Sequence, residues 1–150
     1  MTYDRADWHY EGDFPSLLPK ENGGTHIGMF ITWIIQNDLI GETHIEDSKK
    51  LLEKVKSKQM TGREFFFAEC NEKFWDTDLT KEGNEFTQFY YADEKKGDHA
   101  YGQYLVDYEN ILGISHDSLY EIEDSWDNYD KLKPILDDRF HEWRKLINRV

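Results

Sequence analysis

Trp8, His9 and Asp13 lie close together near the start of the chain, and His26 opens its first strongly apolar stretch. Two imidazoles and a carboxylate are the donor types that hold zinc or a related divalent ion. The same groups can also form a small-molecule pocket. The His9 to His26 spacing matches no specific metal signature, so anchoring of a loop and capping of a helix is the favoured reading of these residues. No resident metal or cofactor is expected, and no catalytic set is assigned.

The other chemically capable residues read more plainly. Gly23-Gly24-Thr25 offers free backbone amides at a helix start, a generic anion site, but no phosphate-loop lysine accompanies it. Asp138 and His141 stand i, i+3, half of a carboxylate-histidine metal pair, and no second such pair exists. Glu69, Glu72 and Lys73 read as the solvated face of a helix. Cys70, among Phe66, Phe67 and Phe74, reads as a small core residue rather than a nucleophile, and there is no Gly-x-Ser-x-Gly elbow.

The elements that must position these residues are helical. Residues 1–24, punctuated by Pro15, Pro19 and three glycines, are expected to be irregular, with their aromatics packed on the body. A helix capped by Thr25 and stopped by Gly41 carries Ile27, Met29, Phe30, Ile31, Trp33, Ile34 and Ile35 with little polar face, which predicts a buried central helix. A second, basic helix is predicted over 46–59. A capping box, Thr61 with Glu64, starts a third that carries Phe66, Phe67, Cys70 and Phe74. Thr80 caps a fourth with Phe86, Phe89 and Tyr90 inward. Tyr101, Tyr104, Leu105, Tyr108, Ile111 and Leu112 mark a fifth, stopped by Gly113.

Leu119 to Glu123 reads as a short extended piece. The last helical region, capped at Asp124 or Ser125, points Trp126, Tyr129, Leu132, Leu136, Phe140, Trp143 and Ile147 inward, with a kink or break expected at Pro134. The expected architecture is all-α: one domain over 1–150, with about six helices around the buried central one.

Composition sets the class. The chain has 150 residues, enough for one sizeable core. Hydrophobic content of 38% and charged content of 33% lean toward disorder, but 5 Trp, 9 Tyr and 9 Phe supply the area for a compact interior. One cysteine excludes an intramolecular disulfide, no signal-peptide pattern opens the chain, and the longest apolar run is far short of a membrane span. The expected location is a reducing cytoplasm. A net charge of −13 argues against nucleic-acid ligands.

That charge is concentrated. Residues 64–130 carry 18 acids against 4 lysines, while the remainder is almost neutral. Within the stretch, Asp117, Glu121, Glu123, Asp124 and Asp127 alternate with Tyr120 and Trp126. Acids steer a basic partner on, and aromatics supply contact area. The plain alternative is a solvated face whose aromatics point into the core.

Trp8-His9-Tyr10-Glu11-Gly12-Asp13-Phe14-Pro15 and Gly23-Gly24-Thr25-His26-Ile27-Gly28-Met29-Phe30 resemble a family of small bacterial cytosolic proteins of unknown function. The likeness continues through Glu82-Gly83-Asn84, residues 104–108, residues 120–126 and Arg139-Phe140-His141-Glu142-Trp143. It implies no activity and no site residues. By analogy of size, charge and bacterial context, such proteins suggest immunity proteins that neutralise a toxin of their own cell.

Two function classes follow. The first is a non-catalytic binding module of immunity type, docking Asp117, Tyr120, Glu121, Glu123, Asp124, Trp126 and Asp127 on a basic protein, such as a toxin. The second is a small-molecule or metal-dependent enzyme built near Trp8, His9, Asp13 and His26.

Overall fold

The run from Ile27 to Ile35 has no polar stripe to give to water, and the fold surrounds it. The structure, a computed structural model, describes residues 1–93, 96 and 100–148. In chain order they form β1 (Thr2–Arg5), α1 (Asp7–Tyr10), a 3-10 turn (Lys20–Gly24), α2 (Thr25–Gln36), α3 (Glu42–Asp47), α4 (Lys49–Lys56) and α5 (Gly62–Glu69). There follow β2 (Lys73–Trp75), a 3-10 turn (Asp76–Asp78), α6 (Lys81–Tyr90), α7 (Gln103–Leu112), a 3-10 stretch (His116–Glu121) and α8 (Trp126–Ile147). The protein is a helical domain with one small two-stranded sheet among its described residues.

Every residue of α2 from Thr25 to Ile35 is buried, as expected of a central helix. Its closest neighbour is α5. A Cβ on Gly28 would sit 2.4 Å from the Arg63 Cα, and one on Gly62 would sit 2.1 Å from the Gly28 carbonyl oxygen. The two glycines let the backbones touch, so a methyl at either position must push the helices apart. Tyr91, Tyr104, Phe74, Phe86 and Phe30 form a continuous aromatic cluster around α2, with the Tyr91 and Tyr104 rings stacked at 5.0 Å. On the far side, α8 is tied to α2 by Trp33 Nε1 donating to Asp137 (2.8 Å) and Tyr129 Oη donating to Gln36 (2.5 Å).

Four of the predicted helix ends hold, whereas α2 ends at Gln36 rather than at Gly41. The Thr61–Glu64 capping box makes both of its bonds, Thr80 accepts from the Gly83 amide, Ser125 accepts from the Asn128 amide, and Gly113 ends α7 with φ of 66°.

Other expectations are corrected. Thr25 does not cap α2: Gly24 holds that place, and Thr25 is the first helical residue, its hydroxyl taking Arg63. The predicted 46–59 helix is two, parted at buried Ser48, whose hydroxyl donates to Glu69. Phe74 is not helical. Left-handed φ at Asn71 (52°) and Glu72 (61°) turns the chain into β2. The piece from Leu119 is 3-10 up to Glu121. Tyr101 precedes α7, and Phe89, Ile111 and Ile147 face solvent. α8 runs through Pro134, an exposed position where the carbonyl left without a partner can meet water.

Candidate functional site

The N-terminal segment is not irregular throughout. β1 pairs antiparallel with β2, and the register slips between Thr2 and Asp4. That bulge breaks the alternation of a strand, so adjacent Tyr3 and Asp4 both turn inward. The following turn of helix, α1, aims His9 at the same point, and the first turn of α2 brings His26.

Five donors converge on the fully buried Asp4 carboxylate. Oδ1 accepts from the Arg5 amide (2.8 Å), His9 Nε2 (2.8 Å) and the Tyr101 hydroxyl (3.1 Å). Oδ2 accepts from His26 Nε2 (3.1 Å) and the Tyr91 hydroxyl (2.5 Å). The His9 Nε2 proton is shared with the Tyr101 oxygen at 2.8 Å. With that proton on Nε2, His9 Nδ1 accepts from the Tyr120 hydroxyl at 2.7 Å. A carboxylate, two imidazoles and three phenols thus form one network.

Electrostatics keep the charge on Asp4. Burial raises its carboxyl affinity for a proton, but the hydrogen bonds from His26 and His9, together with the electrostatic attraction of the two rings, hold it below the usual carboxylate range. Burial, then the neighbouring His9, lowers the proton affinity of His26 despite its bond to Asp4. Tyr91 and Tyr101 are pushed far up, first by burial and then by Asp4, and Tyr120 is pushed up to about 12 for the same reasons. All three phenols therefore remain donors at neutral pH. The ligand atoms of Asp4, His9 and His26 lie within 4.8 Å of one another, a spacing a divalent ion can bridge. Such an ion would have to displace protons that five donors already direct at the carboxylate.

The pattern of one family covers residues 2–122, a span that contains every member of this network. The chain belongs to the family described as Domain of unknown function (DUF7832). No curated protein and no solved structure matches it.

Within this DUF7832 chain, His9 and His26 come together, their rings edge to face at 4.5 Å. Trp8 and Asp13 do not join them. Trp8 is 39% exposed, and Asp13 faces solvent. Asp4 supplies the carboxylate that the sequence assigned to Asp13. No pattern marked it, because one acid in a short strand resembles any other, and Tyr91 and Tyr101 are remote in sequence.

The acidic segment divides into two sets. Three residues are turned inward as anchors. The Tyr120 hydroxyl meets His9, and its carbonyl accepts from Asn22 at 2.9 Å. Asp124 accepts from Thr61 (2.6 Å) and pairs with Arg63 (3.3 Å). Trp126 is half-buried, with Lys58 over its ring. The carboxylates of Asp117, Glu121, Glu123 and Asp127 are exposed, with no ion pair among the described residues. Glu94, Lys95 and Asp98 of the acidic stretch lie outside the described residues.

A second carboxylate–histidine pair was not marked by the sequence. His44 Nε2 lies 2.7 Å from Asp78 Oδ1, and Cys70 Sγ lies 3.9 Å from the same nitrogen. Burial, then Asp78 and Glu69, pushes the Cys70 thiol well up. Separations of 26 and 8 residues form no recognised motif. Among the described residues, no helix is long and apolar enough to cross a membrane.

Proposed function

We propose that this protein is a non-catalytic binding module of immunity type, which places an acidic surface on a basic protein partner, such as a toxin, and blocks its access to substrate. The observation that carries this reading is the split within residues 117–127. Tyr120, Asp124 and Trp126 are tied inward, while Asp117, Glu121, Glu123 and Asp127 stay exposed and without an ion pair among the described residues. A segment pinned at three points loses little freedom on docking, so its charges are pre-organised for a partner. The Asp4 network then acts as the anchor that fixes Tyr120 and the backbone behind it.

This refines the contact set. The four exposed carboxylates meet the partner, whereas Tyr120, Asp124 and Trp126 chiefly hold the segment in place. The competing reading is an enzyme at Asp4, His9 and His26. It is disfavoured because the carboxylate is saturated by donors from within the chain.

Affinity capture from lysate of the protein's own host, at low and high salt, tests the proposal. The expected result is one basic protein at near-equal amounts, lost at high salt, absent with the Glu121→Lys/Glu123→Lys/Asp127→Lys variant, and neutralised when co-expressed with the wild type. Capture unaffected by both salt and charge reversal contradicts it.

A further inference from the structure

We infer that His44, Cys70 and Asp78 form a binding site for a thiophilic divalent cation of the zinc class. This site is separate from the Asp4 network and independent of the proposed docking surface.

Three elements deliver the three donors. His44 projects from α3, Cys70 ends α5, and Asp78 closes the 3-10 turn after β2. Their ligand atoms all lie within 4.8 Å of one another. Zinc bonds of the usual lengths to sulfur, nitrogen and oxygen put the ligands of a tetrahedral site roughly 3.3 to 3.6 Å apart. The Sγ to Nε2 distance of 3.9 Å is close to that already. The 2.7 Å contact between Nε2 and Asp78 has to open by about half an ångström, as the proton between them gives way to an ion.

The hydrogen-bond arrangement favours a cation over a catalytic thiol. A nucleophile triad uses both ring nitrogens, one toward the thiol and one toward the carboxylate. Here the thiol and the carboxylate approach the same nitrogen, Nε2. One proton cannot serve all three atoms, whereas one cation at their meeting point serves each of them. A thiolate, an imidazole and a carboxylate are also the mixed donor set that zinc accepts.

The surroundings support the donors. The second Asp78 oxygen accepts from the Trp75 amide at 2.8 Å, and the Gly41 amide donates to the Asp78 carbonyl at 2.7 Å, which fixes the carboxylate. The His44 ring stands edge to face on buried Phe65 at 5.4 Å. Directly after Cys70, Asn71 and Glu72 both adopt left-handed φ, a conformation that costs free energy in residues other than glycine and commonly accompanies functional geometry. Cys70 and Asp78 line a pocket of about 270 Å³ that Lys73, Trp75 and Thr77 wall. Three protein ligands with a fourth position open to such a pocket describe an exchangeable, water-bearing site rather than a closed structural one.

Cobalt(II) substitution tests the site. Chelator-treated, reduced protein is titrated with cobalt(II), and the near-ultraviolet thiolate-to-metal charge-transfer band is recorded. Cys70 is the only cysteine, so the band reports on that sulfur alone. The expected result is a band that saturates at one equivalent, is bleached by zinc, is absent in Cys70→Ser, and needs about tenfold or more cobalt in His44→Gln and Asp78→Asn. The last two variants keep the thiol and carry the test if Cys70→Ser loses its circular dichroism. No band in folded wild type, or a band indifferent to both His44→Gln and Asp78→Asn, overturns the inference.

Discussion

Among the described residues, two buried carboxylate–histidine centres stand out, and they are finished differently. Asp4 receives five donors, three of them tyrosine or histidine side chains drawn from residues more than 20 positions away. Asp78 receives one imidazole and one backbone amide, beside a thiol and an open pocket. A buried charge must be compensated, and the two centres show two ways of doing so. At Asp4 the chain supplies all the compensation itself, and the result is a rigid junction of β1, α1, α2 and the 3-10 stretch at His116–Glu121. At Asp78 the compensation is partial, which leaves room for an external cation. The same two residue types thus make an anchor in one place and a receptor in the other.

The contrast is easiest to break at Asp4. Asp4→Ala leaves two buried imidazoles, the buried Tyr91 phenol and the half-buried Tyr101 phenol without their acceptor, at an expected cost of about 3 to 5 kcal/mol in unfolding free energy. Asp78→Asn keeps an acceptor for the Trp75 amide, and its expected cost is about 1 kcal/mol. Denaturant unfolding of both variants checks the ranking, and equal losses would erase the distinction.

Zinc sharpens the contrast from the other side. At a hundredfold excess over its dissociation constant, an ion that binds only the folded state adds about 2.7 kcal/mol. The thermal midpoint should rise with zinc in the wild type and in Tyr120→Phe, and should not move in Cys70→Ser. Tyr120→Phe by itself removes the bond to His9, with an expected loss of about 1 kcal/mol.

Acid should loosen the Asp4 centre in two stages. The folded state lowers the proton affinity of His26, so the unfolded chain takes up that proton first, and stability is lost as pH falls below about 6.5. Asp4 is depressed as well, so its contribution is present above about pH 4 and is lost as pH falls below that value. Calorimetry from pH 7 to pH 3 should show both losses, and His26→Gln, which retains a donor to Asp4, should lose only the upper one. The smallest expected effect on stability is at the docking surface. The Glu121→Lys/Glu123→Lys/Asp127→Lys variant should unfold within about 0.5 kcal/mol per site of the wild type while failing to capture the partner.

The sequence made the helices legible and the centres largely not. α2 was visible because its apolar residues run on every face, and the starts at Thr61, Thr80 and Ser125 were visible because a cap is a local interaction. His9 and His26 were marked as chemically capable, and the fold joins them. Asp4 was invisible because its burial depends on a bulge set by pairing with β2, 69 or more residues away. The His44–Cys70–Asp78 group was invisible for a related reason. The turn that places Cys70 uses left-handed Asn71 and Glu72 where glycine would have given a signal. The acidic segment was legible as charge, but only tertiary contacts separate its anchors from its exposed carboxylates.

The difference between the two centres is tested most directly by imidazole nitrogen NMR of the nitrogen-15-labelled protein during a zinc titration. The account predicts that His44 Nε2 shifts and saturates at one equivalent, while His9 and His26 hold the signatures of Nε2-protonated rings throughout. Movement of His9 or His26 with zinc, or no movement of His44, would contradict it.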